Sequence, residues 1–420
     1  MKQPRGTQDF LPPASERFWA LEKLGADIFE RAGYGRAITP MFEDTDLFER
    51  GVGEATDIVN KEMYTFKDRS DHSLTLRPEG TASVMRAIVT HHLWDNGLPI
   101  KLYYDAAMFR YERPQKGRFR QHHQLGIEAV GSEDPALDAE VIEIGHNLLR
   151  EAYVGPVALL LNSMGHRGPN CRDRYLPALR AFLEQHREEL DADCKRRMVV
   201  NPLRVFDCKV PADQAILANA PMLNDFICDD CRAHLAAVQG FLDDAGIKYE
   251  MAPRLVRGFD YYTRTTFEYQ SGALEAAQNA VGGGGRYDGL VEEIGGPALP
   301  GIGFGLGIER ILLAQEAAGA GTAPAVLDCY VIPLEQAARS EAVRLMRRMR
   351  EAGLAADMAY VERGLKTQLK HADRTGARFA ALIGEKELAV GVVTMRDMTS
   401  GEQNEVPLDE ATSWLGEHAS

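Results

Sequence analysis

The sequence is poor in cysteine. Six cysteines in 420 residues are too few and too scattered for the disulfide scaffold that staples small secreted folds. No apolar run approaches the roughly 18 residues of a membrane-spanning helix. The first ten residues, MKQPRGTQDF, contain no apolar stretch of a secretory leader. These absences predict a cytoplasmic protein with no membrane role. Positive charge is also scarce: 48 Lys+Arg against 62 Asp+Glu give a formal net charge of −14. That balance argues against a histone-like protein or a polybasic membrane binder, although a basic stripe on an acidic body can still hold phosphates. Metal-ligand spacing is thin as well. Cys228-x-x-Cys231 followed by His234 offers three ligands on one predicted helix, whereas a structural zinc site takes about four. The cysteines therefore read as free thiols in a reducing compartment, and no resident metal is assigned.

What is present suits a soluble chain of two or three domains, with 45% hydrophobic and 26% charged residues. Phe18, Leu21, Leu24, Ile28 and Phe29 predict a helix over Ala14–Arg31 that Gly33 stops, followed by a strand through Ala37 and Ile38 to Pro40. Leu74 and Leu76 alternate as in a strand, and Pro78 and Glu79 open a helix through Met85 and Ile88. Residues 100–113 and 122–131 read as an antiparallel hairpin with a long tip. The segment 167–248 is charge-rich and helical in pattern and reads as an insertion; strand character returns over 254–269. Residues 317–325 (AAGAGTAPA) look like a linker. Beyond them, strands and helices alternate as in a separate α/β domain.

The hairpin tip is the most informative feature. Between residues 110 and 120, Arg110, Arg113, Lys116, Arg118 and Arg120 face one anion, Glu112. Arginine forks hold phosphate oxygens two at a time; a solvated charged loop has the same composition. Along the return strand, Leu125, Ile127 and Ala129 share one face, and Gln124, Gly126 and Glu128 the other. Gly126 between two polar residues predicts open space for a small ligand. Arg110 shares the polar side, opposite Phe109 and Tyr111. In 255–264 (LVRGFDYYTR), Arg257 beside Gly258 allows close ligand approach. Extended backbone there would send Tyr261 and Tyr262 to opposite faces, one to the pocket. Residues 282–285 are four glycines that fit either an anion-binding backbone or a plain turn. Glycines at every second position from Gly301 to Gly307 suit a strand whose bare face accepts a flat ring, with Arg310 starting a helix at its edge.

Taken together, these segments resemble class II aminoacyl-tRNA synthetases, and within them the histidyl-tRNA synthetases, over nearly the whole chain. Gly33-Tyr34-Gly35 through Pro40, Phe109-Arg110-Tyr111-Glu112 with its loop, and Gly303 through Arg310 are similar to the three class II motifs. Leu255 through Tyr262 and Gly284-Gly285-Arg286-Tyr287-Asp288-Gly289 resemble segments particular to histidyl enzymes, and Arg5 through Asp9 and Thr75 through Thr81 also match. Phe259 stands where leucine is more usual, and His122 where another aromatic is expected.

The resemblance implies an α+β catalytic domain built on an antiparallel sheet (residues 1–166 and 249–318), a helical insertion (167–248) and a C-terminal α/β anticodon-binding domain (326–420). It implies a histidine–tRNA ligase that activates histidine with ATP and transfers it to the 3′ end of tRNA(His), acting as a homodimer with Mg²⁺ accompanying ATP. Arg110 and Arg257 are then the catalytic pair at the α-phosphate. Arg118 and Arg310 fall to the γ-phosphate side, and Phe119 with Arg310 to the adenine. Glu79, Thr81 and Gln124 fall to the substrate ammonium, and Glu128 with Tyr261 and Tyr262 to the imidazole end. Arg113 and Gln115 are expected on the tRNA acceptor end, and Arg363, Lys366, Lys370 and Arg374 form a basic stripe on the terminal domain. Histidyl-synthetase-like regulatory subunits of ATP phosphoribosyltransferase typically lack that domain and parts of the motifs, so Arg110, Arg257, Arg310 and the full terminal domain oppose that alternative.

Overall fold

The computed structural model describes every residue except 54–55, 276–277, 321–326, 362 and 419–420. The chain forms two compact units, Met1–Leu11 with Phe18–Ala320 and Gly321–Ser420 with Pro12–Arg17.

In the first unit the strands are β1 (Gly35–Arg36), β2 (Phe42–Asp44), β3 (Tyr64–Lys67), β4 (Ser73–Leu76), β5 (Ile100–Phe109), β6 (Gln121–Val130), β7 (Val157–Ser163), β8 (Glu250–Met251), β9 (Thr263–Ser271), β10 (Ala280–Arg286) and β11 (Gly301–Gly307). Eight of them form one sheet in the order β1-β5-β6-β11-β10-β9-β7-β8, antiparallel except at its two edge pairs. Helix α1 (Ala14–Arg31) has the predicted bounds and buries Leu21, Gly25, Ile28 and Phe29. Leu125, Ile127 and Ala129 of β6 join that core, as the alternation predicts. The strand after α1 is shorter than expected: only Gly35 and Arg36 pair, parallel to β5. In β4 the buried residue is Thr75, while Leu74 and Leu76 are half-buried, because the Thr75 hydroxyl bonds those of Thr45 and Thr65.

Helix α2 (Thr45–Val52) precedes β3, and α3 (Thr81–Thr90) follows β4. The second of these starts two residues later than Pro78–Glu79 suggests. Glu79 lies outside it and accepts the Thr81 and Ala82 N–H groups at 2.7 Å each, the usual answer to unpaired donors at a helix start. Helix α4 (Pro135–Glu151) backs the sheet.

The insertion is helical as expected: α5 (Arg172–Gln185), α6 (Ala192–Val200), α7 (Pro211–Leu217) and α8 (Asp229–Asp244). Its last helix is part of the main core, since Leu235, Val238 and Leu242 pack with residues of α4 and β9. His234 on α8 bonds Asp138 at 2.8 Å, and Asp138 also takes the fully buried Arg286 at 2.8 Å. His234 is therefore not grouped with Cys228 and Cys231.

The four consecutive glycines form neither a turn nor an anion cradle. They lie in β10, where a Cβ on any of them would overlap a carbonyl oxygen of β9 or β11. Helix α9 (Leu290–Glu293) precedes β11, which runs directly into α10 (Ile308–Ala317). Ala317 thus ends a helix, and most of the predicted linker lies outside the described residues.

The second unit has a five-stranded sheet in the order β13-β12-β14-β15-β16, formed by β12 (Leu327–Pro333), β13 (Ala356–Met358), β14 (Ala377–Ile383), β15 (Val392–Asp397) and β16 (Gln403–Pro407). Helices α11 (Arg339–Glu351), α12 (Leu365–Arg374), α13 (Glu385–Val390) and α14 (Ala411–His418) accompany it. The sheet is buried on both faces, with Val331 and Ala381 on one side and Tyr330 and Ala380 on the other. Lys366, Lys370 and Arg374 are exposed on α12; Arg363 is exposed but precedes the helix.

Candidate functional site

A cavity of about 630 Å³ opens on the polar face of the eight-stranded sheet. Glu79, Thr81, Gln124, Tyr261, Tyr262, Arg110, Arg118, Phe119, Arg257 and Arg310 all line it. Residues from six separate stretches of sequence are thus brought to one space.

Glu128 does not itself line the cavity: it is 1% exposed and lies behind the wall, bonded to the lining residues Thr81 and Tyr287. Its Oε1 accepts the Thr81 hydroxyl at 2.7 Å and its Oε2 the Tyr287 hydroxyl at 2.5 Å. Burial pushes the carboxyl up to about 8, against the hydrogen bonds from Tyr287 and Thr81 that favour its charge; nearby Glu79 adds to the rise. Burial raises Glu79 too, opposed by its two backbone hydrogen bonds. The bare face of β11 makes room here: a Cβ at Gly303 would overlap Glu128 Oε2, and one at Gly305 would sit 3.4 Å from Gln124 Nε2.

The space predicted at Gly126 is not open. The Tyr104 ring occupies it, so closely that a Cβ at Gly126 or Gly80 would overlap the ring. Tyr261 and Tyr262 also differ from expectation. Their segment is not extended; β9 begins only at Thr263. Both rings are buried, 4.8 Å apart, and both line the cavity. Tyr261 stacks on Phe259 at 5.1 Å, and the Arg110 guanidinium lies 5.6 Å from the same Phe259 ring.

Arginines share the wall with these groups. Arg110 donates to the Pro78 carbonyl at 2.8 Å, which fixes its stem. Arg257 pairs with Glu268 at 2.7 Å, and its Nε is buried without a hydrogen-bond partner among the described residues. Burial alone would lower Arg257, but Tyr262 and Glu268 outweigh it and hold it above its ordinary value. Arg310 donates to the Ala280 carbonyl at 2.9 Å and also to that of Gln278. Burial and the neighbouring Arg118 lower Arg310, as expected of two cations that share a place for an anion. Gly117 has φ +72°, and a Cβ there would sit 2.7 Å from Leu313 Cδ1 and 3.3 Å from Arg310 Cδ. Only glycine lets the hairpin tip lie this close and deliver Arg118 and Phe119 beside Arg310.

Arg113 and Gln115 do not line this cavity. Both are exposed, and Gln115 accepts a hydrogen bond from Gln278 at 3.1 Å. The residue assignments above omitted Tyr104, Tyr287 and His122. Tyr287 lies inside a quoted segment, yet nothing in its spacing aims it at Glu128. His122 is pushed down to about 3 by burial, then by Arg110, and its Nδ1 is buried without a partner among the described residues. It is a neutral ring in the cavity wall. The next residue, His123, bonds Glu309 through its backbone N–H at 3.0 Å and through Nδ1 at 2.8 Å, tying β6 to the start of the helix that carries Arg310.

Two family models match the chain: histidyl-tRNA synthetase over residues 6–311 and anticodon binding domain over residues 328–418. The chain is 48% identical to a histidine–tRNA ligase of Halothermothrix orenii over 97% of each sequence. It is 49% identical to that of Moorella thermoacetica over 97% of this chain and 96% of the other. It is also similar to the crystal structure of apo S. aureus histidyl-tRNA synthetase, with a TM-score of 0.81 and 38% identity over 99% of both chains.

Proposed function

The chain belongs to the histidyl-tRNA synthetase family, and from that premise we propose how its cavity joins histidine to tRNA(His). It is a histidine–tRNA ligase: histidine and ATP give histidyl-adenylate and pyrophosphate, and the histidyl group then passes to the tRNA 3′ end.

The observation that carries the site assignment is the make-up of this cavity's wall, which brings the buried carboxyl of Glu79 and the rings of Tyr261 and Tyr262 together with Arg110, Arg118, Arg257 and Arg310. Such a wall can pair a substrate's imidazole, ammonium and carboxylate at once. Glu128, with Tyr262 and Tyr261, takes the ring. Glu79, Thr81 and Gln124 take the ammonium, and the carboxylate points toward Arg110 and Arg257. Attack of that carboxylate on the α-phosphate expels pyrophosphate and needs no protein nucleophile. Catalysis is then placement plus stabilisation of the charge that builds on the phosphate. The partnerless Nε of Arg257 supports its place at that phosphate. Arg118 and Arg310 receive the γ-phosphate side, and Phe119 and Arg310 enclose the adenine.

Mg²⁺ enters with the nucleotide. Glu112 and Glu268 are carboxylates in the cationic part of the cavity, and hard oxygen donors suit this ion. These two carboxylates would hold it, and it would supply charge neutralisation at the phosphates.

Arg113 and Gln115 on the exposed tip meet the acceptor end, and the exposed cations of α12 suit the anticodon arm. A homodimer is supported by the exposure of Ile38, Met41, Phe42 and Phe66 around the first motif. Cytoplasmic residence fits six free cysteines. Histidine-dependent pyrophosphate–ATP exchange is the test. Exchange with histidine and not with other amino acids is expected; its absence at saturating ATP and Mg²⁺ would overturn the site assignment.

A further inference from the structure

One side-chain cluster in the first unit takes no part in this chemistry. His166 lies just after β7, Cys171 caps α5, and Cys228 and Cys231 stand at the start of α8. Their ligand atoms all lie within 4.8 Å of one another. His166 Nδ1 is 3.3 Å from Cys231 Sγ, 3.4 Å from Cys228 Sγ and 3.9 Å from Cys171 Sγ; Cys171 Sγ and Cys231 Sγ are 3.8 Å apart.

Ordinary zinc bond lengths fix the edges of a tetrahedral site at about 3.8 Å between sulfurs and about 3.5 Å between nitrogen and sulfur. The observed separations have that size. They are far too long for disulfides, whose sulfurs sit about 2 Å apart. We propose that His166, Cys171, Cys228 and Cys231 hold a structural zinc ion that fastens the insertion to the catalytic sheet.

The surroundings support a closed site. Cys171 and Cys231 are almost wholly buried. The Cys228 backbone N–H donates to Cys171 Sγ at 3.3 Å, a contact that steadies a thiolate. Gly165 has φ +58°, and a Cβ there would sit 2.7 Å from Cys171 Cβ, so glycine is required for His166 to approach the sulfurs. On binding, the three thiols release their protons to solvent. Three thiolates and Zn²⁺ leave the cluster with one net negative charge, beside the Arg264 guanidinium, which lies 3.0 Å from His166 Nε2. With the metal on Nδ1, Nε2 would carry the ring proton, and the Arg264 nitrogens now 3.0 and 3.2 Å from Nε2 would have to leave it, with Glu133, 3.3 Å from the same guanidinium, as the alternative partner. Arg172, next to Cys171, donates to the Tyr262 carbonyl, so the metal braces the turn that carries the histidine-pocket tyrosines.

The free-thiol reading of the sequence weighed only the ligands near Cys228. The other two lie some 60 residues upstream, at separations of 57 and 65. A second group, Asp191, Cys194, Cys208 and Asp213, is equally compact. It is satisfied internally: Asp191 caps α6 through the Cys194 N–H at 2.6 Å, and the Cys208 thiol donates to Asp213 at 3.2 Å.

The test is elemental analysis of the full-length protein, expressed with added zinc and purified without chelator. About one zinc per chain is expected. His166→Ala, Cys171→Ser and Cys231→Ser should each drop it to background, while Cys208→Ser keeps it. Because those variants can misfold, wild-type protein stripped of metal is also titrated with Co²⁺. Tetrahedral d–d and sulfur-to-metal charge-transfer bands that saturate at one ion per chain support the site. Absence of both zinc and cobalt bands overturns it. So does zinc that survives Cys231→Ser but is lost in Cys208→Ser.

Discussion

The Tyr287 hydroxyl donates to Glu128 Oε2 at 2.5 Å, so the carboxyl buried behind the cavity wall is set by a residue two strands away in the sheet order. Tyr287→Phe removes this donor and keeps the ring. The substrate's imidazole then meets a less well positioned carboxyl. Losing one hydrogen bond to a largely protonated carboxyl, of about 0.5–1.5 kcal/mol, should raise KM for histidine by about two- to tenfold, with KM for ATP little changed. Steady-state exchange kinetics check this split.

Glu128→Gln gives a pH signature. A folded pKa raised to about 8 means that the native state favours the protonated carboxyl. Its stability contribution is full below the unfolded value and is lost as pH rises toward the folded one. Glutamine does not ionise. The melting temperature of Glu128→Gln relative to wild type should therefore climb between about pH 5 and pH 8, measured without ligands. The same variant should weaken histidine far more than ATP.

Arg257→Ala should reduce exchange by about 10²-fold or more, with the fold kept. Glu268 loses its partner but lies at the cavity edge, where water reaches it. Circular dichroism and thermal melting check the fold, and near-normal exchange would remove Arg257 from the α-phosphate.

Arg286→Ala tests stability. Arg286 and Asp138 form an ion pair in which both side chains are fully buried. Removing Arg286 leaves the buried Asp138 charge with His234 as its remaining partner, at a cost of up to about 3–5 kcal/mol. Denaturant unfolding should show that loss, while the conservative exposed change Arg344→Gln should shift stability by less than about 0.5 kcal/mol.

Arg113→Ala should leave histidine activation intact and weaken tRNA binding. If Arg113 neutralises one phosphate, the slope of log K against log salt should flatten by about one. An unchanged slope would take Arg113 off the RNA.

Much of this was legible locally. The period of α1, the two faces of β6 and the basic tip between β5 and β6 follow from residues within a few positions of each other. The pocket was less legible. Gly126 looked like open space, but Tyr104 from the neighbouring strand fills it. Tyr261 and Tyr262 looked divided between two faces, but an irregular turn brings both rings to one cavity. Helix α14 and strand β16 also escaped notice, being short and weakly periodic.

By itself the sequence determined the family, the element types and most of the residues that line the cavity, because motif spacing and side-chain periodicity act over short stretches of chain. Only the tertiary structure decided which groups meet. It placed Tyr287 on Glu128, His234 on Asp138 rather than beside the cysteines, and His166 and Cys171 against Cys228 and Cys231. Those pairings depend on strand order and helix packing across some 60 to 160 residues, at separations of 60 for Cys171–Cys231 and 159 for Glu128–Tyr287. No local pattern encodes a contact of that range.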